Sequence, residues 1–328
     1  MANLRVGLIG LGMMGRHHAR VLRELPGVDL VVVADETGDP HNVSGTTPFC
    51  DSVAEMLSHN LDMAVVAVPT AFHELIGLQL AEAKVHTLME KPITNTVEEG
   101  IRLVEAFESR QLIGAVGHIE RFNPALQSMR ERIAAGEIGN VYQIATRRQG
   151  PFPARIADVG VIKDLGTHDI DSTAWLAQSN YESIYAQTAH KSGRPHEDLV
   201  VATGRLASGV ITSHLVNWLS PLKERVTIAT GEKGSLVADT ITADLTFFEN
   251  GIAATAWDSI AAFRGVSEGS MIRYALTKRE PLRVEHEAFR DAVLGLRQDV
   301  VTFRDGLATL RVAEAAIKSS SSGDVTWL

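Results

Sequence analysis

Short apolar segments alternate with segments of helical periodicity through the first 120 residues. The apolar segments, which predict strands, are LRVGLIG, VDLVVVAD, LDMAVVAVP, VHTLME and LIGAVGH. The segments between them, which predict helices, are GRHHARVLREL, SVAEMLSH, HELIGLQLAEA and TVEEGIRLVEAFESR. Because the predicted strands are apolar along their length, both faces of their sheet should be covered. The alternation therefore predicts an α/β fold with a doubly wound parallel sheet.

The pattern changes after about residue 138, where predicted strands alternate between apolar and polar positions. These strands are NVYQIATRRQ, YESIYAQTAH, LVVATGRLASG, VITSHLVNWL, ERVTIATGEKG, SLVADT and LTFFEN. One-sided alternation predicts a large, open, mostly antiparallel sheet whose free face suits a pocket or an oligomer interface. Two helical segments, VEHEAFRDAVLGLR and RDGLATLRVAEAAIKSS, close the chain. We predict two domains, residues 1–120 and 121–328.

The amino-acid composition limits the kinds of molecule that the protein is expected to bind. The chain has 328 residues, a formal charge of −9 and 45% hydrophobic residues, which suits two globular domains. The net negative charge argues against binding to nucleic acid, so we expect the protein to bind a small molecule. The single cysteine, Cys50, allows no disulfide within the chain and disfavours a thiolate metal site. No apolar stretch approaches the roughly 20 residues that span a bilayer, and we expect a cytoplasmic protein without membrane contact.

The turn after the first predicted strand carries a glycine pattern. Gly10, Gly12 and Gly15 have the spacing G-x-G-x-x-G between a strand and a helix. The first permits a tight turn, the second lets a pyrophosphate approach the backbone, and the third lets helix and strand pack closely. Asp35 ends the second predicted strand, where a carboxylate binds ribose hydroxyls and repels a 2′-phosphate. With Glu36 beside it, this predicts NAD rather than NADP; the alternative is an aspartate that only caps a turn.

Further cofactor contacts are expected at the carboxyl ends of the parallel strands, where doubly wound sheets bind ligands. Pro69 and Thr70 end one such strand, and His73 either contacts the cofactor or starts the next helix. His17 and His18 are interpreted as helix residues near the glycine loop rather than as catalysts. The predicted cofactor-binding residues are Gly10, Gly12, Met13, Met14, Gly15, Asp35, Pro69, Thr70, His73, Glu90 and Lys91.

The sequence Glu90-Lys91-Pro92 follows the next predicted strand at the same edge of the sheet. A lysine facing a cofactor crevice can stabilise developing negative charge or donate a proton to a carbonyl oxygen. The alternative is a surface lysine with no role in chemistry. We favour a catalytic role for Lys91 because of its position at a strand end.

A cluster of titratable residues lies in the segment VIKDLGTHDIDSTAWL, residues 161–176. Asp164 and His168 are four residues apart, so on a helix both project from one face. Histidine titrates near neutrality and can accept a proton from a hydroxyl. The alternatives are a helix cap with an interior histidine, or a metal site, for which only two ligands are evident. Asp169 and Asp171 are assigned to the helix start and to packing.

Four segments in order together resemble the Gfo/Idh/MocA family of oxidoreductases. They are the glycine loop, the EKP sequence, GHIERFNPA and GVIKDLGTHDID. The resemblance covers essentially the full length and implies a Rossmann domain followed by an α/β domain with a large open antiparallel sheet. It implies an active site between the domains, in which His168 takes the hydroxyl proton, Asp164 orients the substrate or the imidazole, and Lys91 polarises the oxygen while NAD accepts the hydride.

Within the family, GHIERFNPA and KREPLRVEHEAFRDAV resemble the branch of UDP-N-acetylglucosamine 3-dehydrogenases. This resemblance implies that Arg121 and Asn123 help to hold a sugar nucleotide. Other members act on free sugars or inositols, and the family also suggests a homodimer or homotetramer. Two alternatives stay open: an NAD-dependent glycoside hydrolase of the same fold, and a dinucleotide-sensing protein without turnover.

Overall fold

The computed structural model describes residues 3–152, 159–251 and 268–328 of the chain. The chain forms two compact units. The first comprises the residues up to 119 together with 280–311, and the second comprises 120–279 together with 312–328. Residues 280–311 therefore follow the second unit in sequence but contact the first. Within the described residues, no helix is long and apolar enough to cross a membrane.

The first unit contains a parallel sheet of six strands in the order β3-β2-β1-β4-β5-β6. The strands are β1 (Leu4–Ile9), β2 (Val28–Ala34), β3 (Phe49–Cys50), β4 (Met63–Val66), β5 (His86–Met89) and β6 (Gly114–Val116). This is the strand order of dinucleotide-binding folds, with the reversal between β1 and β4. All neighbouring strands of this sheet are parallel, so the predicted doubly wound sheet is confirmed.

The helices of the first unit cover both faces of this sheet. They are α1 (Met13–Glu24), α2 (Val53–Met56), α3 (His73–Glu82), α4 (Val97–Glu108), α7 (Pro281–Val293) and the first part of α8 (Phe303–Ser322). Apolar side chains form two clusters, one containing Val66 and Phe107 and the other containing Leu8 and Phe289. This double covering explains why the strands lack polar alternation.

The second unit contains nine strands in the order β14-β13-β12-β11-β7-β10-β9-β8-β15. The strands are β7 (Val141–Pro151), β8 (Tyr181–Ala189), β9 (Leu199–Leu206), β10 (Ile211–Asn217), β11 (Leu219–Gly231), β12 (Gly234–Asp239), β13 (Asp244–Asn250), β14 (Glu268–Arg273) and β15 (Thr326–Trp327). All neighbours are antiparallel except β7 and β10, which are parallel. The predicted mostly antiparallel sheet is confirmed.

The second unit contains α5 (Pro124–Ala134) and α6 (Thr167–Ala177). Asn123 is the N-cap of α5, and His168 lies within α6. One face of the sheet is covered, because alternate residues of β9 such as Val200 and Ala202 are buried. The other face carries Val201, which is 47% exposed, and Ile211, which is 38% exposed. The expected one-sided alternation is therefore present.

Candidate active site

The glycine loop joins β1 to α1 and has no room for side chains at two of its positions. Gly10 has a φ of +92°, and a Cβ there would lie 2.5 Å from the carbonyl oxygen of Ala67. A Cβ at Gly15 would lie 2.0 Å from the carbonyl oxygen of Gly10. At Gly12 a Cβ would meet no described atom within 4 Å. Side chains are therefore excluded at Gly10 and Gly15, whereas the space beside Gly12 is open. This arrangement fits a pyrophosphate that lies against the backbone.

The N-terminus of α1 adds to the anion-binding character of this loop. Gly12 precedes the helix without a side-chain cap, and the first amides of a helix have no intrahelical acceptor. Met13 is 57% exposed and Met14 is partly buried at this helix start. The residues present therefore fit the phosphates of a dinucleotide.

Asp35 lies directly after β2 and contacts the glycine loop. Its Oδ2 accepts a hydrogen bond of 2.8 Å from the backbone N–H of Leu11. Its Oδ1 accepts bonds from the backbone N–H of Thr37 at 2.8 Å and from the Thr37 hydroxyl at 2.7 Å. The carboxylate therefore both caps a turn and is fixed beside the loop. Its predicted contact with ribose stays a prediction.

His73 lies at the start of α3, and its ring faces backbone carbonyls on both sides. Nε2 is 3.0 Å from the oxygen of Val68, and Nδ1 is 3.0 Å from that of Pro92. Burial lowers the pKa of this imidazole despite these hydrogen bonds. The ring connects the loop after β4, which contains Pro69 and Thr70, to the loop after β5. This placement favours a role in loop geometry over direct contact with a cofactor.

Glu90 and Lys91 follow β5, and the side chain of Glu90 is largely buried, with 14% of its surface exposed. Its Oε1 lies 3.0 Å from Nε2 of His18, and its Oε2 accepts a 3.1 Å bond from the backbone N–H of Lys91. Burial would raise the pKa of Glu90, but the hydrogen bond and charge of His18 and the charge of Lys91 outweigh it and lower the pKa. Glu90 is therefore an ionised group beside Lys91.

Asp164 and His168 lie on one continuous helical segment in the second unit. Residues Ile162–Gly166 form a π-helical turn that leads directly into α6. The N–H of Thr167 donates to the carbonyl of Ile162, which is the five-residue bond of this geometry. Asp164 is buried within the turn and His168 is partly exposed. π-turns occur frequently at functional sites because they re-aim a side chain within a helix.

The start of this helix is fixed by Glu197. Its carboxylate accepts a 3.0 Å bond from the N–H of Ile162, and its backbone carbonyl accepts one of 3.0 Å from Val161. A Cβ at Gly160 would lie 2.0 Å from the Glu197 carboxylate, so a side chain at this position would displace that carboxylate. A negative charge at a helix N-terminus is also favourable. The segment that carries Asp164 and His168 is thereby held at its first turn.

The two later aspartates of the segment each bind an arginine, of which Arg148 is buried and Arg121 is partly buried. Asp169 accepts a 2.9 Å bond from Arg148, which also donates to Glu120 at 2.8 Å. Burial would lower the pKa of Arg148, but the charges of Asp169 and Glu120 raise it. Asp171 forms a two-bond pair with Arg121, at 2.8 and 2.6 Å. These ion pairs agree with the expectation that Asp169 and Asp171 contribute to packing.

Arg121 and Asn123, which were predicted to hold substrate, both have protein partners. Arg121 is paired with Asp171 on α6. Asn123 is the N-cap of α5: its Oδ1 accepts from the N–H of Ala125 at 3.0 Å, and its amide donates to the carbonyl of Thr240 at 2.9 Å. Both residues therefore have structural functions, and contact with a substrate remains a prediction for each.

Sequence reasoning did not identify several titratable groups that the structure places in buried contacts within one unit or the other. They are Glu120, Arg148, Glu197, Glu285 and His286. Their partners are distant in sequence, so no local spacing indicates them. Among the described residues, no group of three or more His, Cys, Asp or Glu side chains is arranged to hold a metal ion.

Comparison with known families matches both parts of the chain. Residues 4–118 match the family model described as "Oxidoreductase family, NAD-binding Rossmann fold". Residues 126–237 match the model described as "GFO/IDH/MocA C-terminal domain". The two matched segments belong to the same family and together span most of the chain.

Two curated relatives match nearly the whole length. A UDP-N-acetylglucosamine 3-dehydrogenase from Acidithiobacillus ferrooxidans is 28% identical over 97% of this chain and 96% of that protein. An inositol 2-dehydrogenase from Rubrobacter xylanophilus is 27% identical over 98% of this chain and 92% of that protein. A solved structure of UDP-N-acetylglucosamine 3-dehydrogenase from A. ferrooxidans superposes with a TM-score of 0.87 at 26% identity, covering 98% of this chain and 99% of that one.

Proposed function

Because this chain belongs to the Gfo/Idh/MocA family of oxidoreductases, we propose that it transfers a hydride between NAD and a secondary alcohol of a sugar, sugar nucleotide or cyclic polyol. The observation that carries this proposal is the glycine loop, which is closed to side chains at Gly10 and Gly15 and open at Gly12. With Asp35 fixed beside it, the loop suits the adenosine half of NAD.

Three side chains would carry the chemistry of alcohol oxidation. NAD, when bound, supplies the hydride acceptor. His168 removes the hydroxyl proton as general base, and Asp164, one helical turn earlier, orients the hydroxyl or the imidazole. Lys91 stabilises the negative charge that develops on the substrate oxygen. The placement of Asp164 in a π-turn and of Lys91 beside an ionised Glu90 supports these roles.

A sugar nucleotide is the substrate class that we favour. Support comes from the relatives named as UDP-N-acetylglucosamine 3-dehydrogenase, which align along nearly the whole chain and share its fold. Asp171, which accepts hydrogen bonds from Arg121, lies about one turn beyond His168 on α6. A diphosphate with two charges can compete with Asp171 for this guanidinium. Inositols form the second substrate class, because an inositol 2-dehydrogenase aligns over the same length.

The function is tested with purified protein, NAD or NADP, and separate solutions of UDP-N-acetylglucosamine, myo-inositol and glucose. We expect reduced nicotinamide to accumulate with NAD and one of these alcohols. Cleavage of a chromogenic glycoside without such accumulation would identify a hydrolase instead. NAD binding with no turnover on any of them would favour a sensing protein.

Replacing Asp35 with Ser is expected to reduce discrimination between the two cofactors. The variant loses charged acceptors for ribose hydroxyls, each worth about 1.5–3 kcal/mol, and loses the repulsion of a 2′-phosphate. We expect kcat/KM for NAD to fall by about tenfold or more and kcat/KM for NADP to rise. The control is Asp29→Ser on β2, the strand that precedes Asp35, since Asp29 is exposed and accepts a hydrogen bond from the side chain of Asn3. An unchanged ratio of the two cofactors would contradict the proposed role.

We further propose that the free face of the nine-stranded sheet joins copies of this chain into a dimer or tetramer. This face carries Val201 and Ile211, which are exposed, and Leu215, which lies opposite Val201 on the neighbouring strand. Burying such side chains stabilises an interface by about 25 cal/mol per Å². Val201→Glu is expected to give a folded monomer by light scattering, whereas Thr203→Glu at a polar position of the same strand gives a smaller change. A wild-type monomer would contradict this assignment.

A further inference from the structure

Four titratable side chains from separate parts of the chain meet inside the first unit. His18 lies on α1, Glu90 follows β5, and Glu285 and His286 lie on α7. His18 and His286 are 0% exposed and Glu285 is 2% exposed. Nδ1 of His18 lies 2.8 Å from Nε2 of His286, while its Nε2 lies 3.0 Å from Glu90. Neither His18 nor His286 has a role in the reaction proposed above.

The direction of the hydrogen bond between His18 and Glu90 follows from charge. An ionised carboxylate only accepts hydrogen bonds, so Nε2 of His18 must carry the proton that faces Glu90. One proton then lies between Nδ1 of His18 and Nε2 of His286. Burial and the charge of His18 lower the pKa of His286 well below its usual value. His286 is therefore a neutral neighbour that holds the His18 ring in orientation.

Glu285 contributes no second negative charge to this cluster. Burial and the charge of Glu90 raise its pKa well above the usual value, which favours the neutral form of this carboxyl group. Neither of its carboxyl oxygens has a hydrogen-bond partner among the described residues. The cluster thus carries a single carboxylate charge, on Glu90. A buried charge is costly unless it is hydrogen-bonded, so the His18 donor favours an ionised Glu90.

The other oxygen of Glu90 holds the main chain of Lys91. The backbone N–H of Lys91 donates to Oε2 at 3.1 Å. At Gly117, after β6, a Cβ would lie 3.3 Å from Cδ of Glu90, so the carboxylate is also confined from this side. α1, which carries His18, is the same helix that begins at the glycine loop. One hydrogen-bonded path therefore connects the cofactor loop helix to Lys91.

We propose that His18 is a positioning residue, which fixes the carboxylate of Glu90 and through it the main chain of Lys91 relative to the glycine-loop helix. This inference rests on the proposed function, in which Lys91 acts on the substrate oxygen. A displacement of about 1 Å at a catalytic group can lower the rate by about a hundredfold. The role of His18 is therefore to hold the main chain of Lys91 in a fixed position relative to the helix that begins at the glycine loop.

Two substitutions at His18 separate positioning from general stability. A Gln side chain can place an N–H near the position of Nε2 and keep the bond to Glu90. An Asn side chain reaches only the position of Nδ1, so it retains a contact to His286 but not to Glu90. Both remove a buried ring, and because His18→Asn also leaves Glu90 without its donor, we expect this variant to fold but to melt at a lower temperature than His18→Gln. The control is His17→Asn, on the same helix at an exposed position.

The first readout does not require activity. Protein labelled with ¹⁵N-lysine is recorded by amide NMR, and the Lys91 resonance is assigned by its absence in Lys91→Arg. We expect His18→Asn to shift this resonance upfield relative to wild type, because the carboxylate acceptor is displaced. His18→Gln and His17→Asn should leave it near its wild-type position. A Lys91 resonance that is unchanged in His18→Asn, or moved equally by both His18 variants, overturns the inference.

The second readout is steady-state kinetics with the alcohol identified by the substrate screen. We expect kcat to fall about tenfold to a hundredfold in His18→Asn, with KM for NAD within about twofold, and to recover at least partly in His18→Gln. Equal kcat in the two variants overturns the inference. If His18→Asn does not fold, Glu90→Gln replaces it and is expected to give the same NMR and kinetic signature. A wild-type protein without turnover contradicts the proposed function, while the NMR comparison still decides the positioning role.

Discussion

Replacing Lys91 with Met is expected to lower kcat by about a thousandfold while NAD still binds with nearly wild-type affinity. Met retains much of the length and apolar surface of the lysine stem but has no charge. The side chain then no longer stabilises the oxygen that gains negative charge during alcohol oxidation, and such a group contributes about 10²–10³ in rate; proton donation adds further. The measurement is kcat from initial rates, with NAD binding followed by calorimetry.

The matched control for this variant is Lys84→Met. Lys84 is exposed and precedes β5, whereas Lys91 follows that strand. Its removal should leave kcat within about twofold, since surface substitutions rarely have larger effects. If Lys91→Met retains more than about a tenth of the wild-type kcat, the assigned role of Lys91 is wrong. A loss of NAD binding in parallel with kcat would instead assign Lys91 to cofactor affinity.

Replacing His168 with Asn is expected to lower kcat by about 10²–10⁴, which is the usual contribution of a positioned general base. The variant keeps a polar side chain on the same helix but cannot accept and release a proton near neutral pH. In wild type the rate should rise with pH as the base loses its proton and then level off. This rise should be absent from the residual activity of His168→Asn, which is measured as a pH profile of kcat.

Two further variants test whether the loss of kcat and the change in pH profile are specific to His168. His190→Asn removes an exposed histidine from the end of β8 and should leave the profile unchanged. Asp164→Asn should lower kcat less than His168→Asn, because it disturbs orientation rather than removing the proton acceptor. A pH profile that is the same in wild type and His168→Asn would show that another group is the base.

Much of the fold could be predicted because its strands differ in their local pattern. The unbroken apolar run of β4 and the alternation of β9 indicate two-sided and one-sided burial without any knowledge of their partners. The parallel pairing of β7 and β10 could not be predicted, since it depends on contacts between residues far apart in sequence. The two-residue strands β3 and β15 are too short to have a pattern.

The candidate site shows the same division between local and distant information. Gly10 was recognisable because its positive φ requires glycine, and the spacing of Asp164 and His168 indicated a common helix. The π-turn at Ile162–Gly166 was not indicated by any residue type. His18 was read as an ordinary helix residue because its partners, Glu90 and His286, are distant in the chain.

Isotope transfer tests the central claim most directly. Wild-type protein is incubated with NAD and an alcohol of the proposed class that carries deuterium at the reacting carbon, and the nicotinamide product is analysed by mass spectrometry. The account predicts one deuterium in the reduced cofactor, formed at least a hundredfold more slowly by Lys91→Met and His168→Asn. Reduced cofactor without deuterium, or equal rates of transfer in all three proteins, would contradict it.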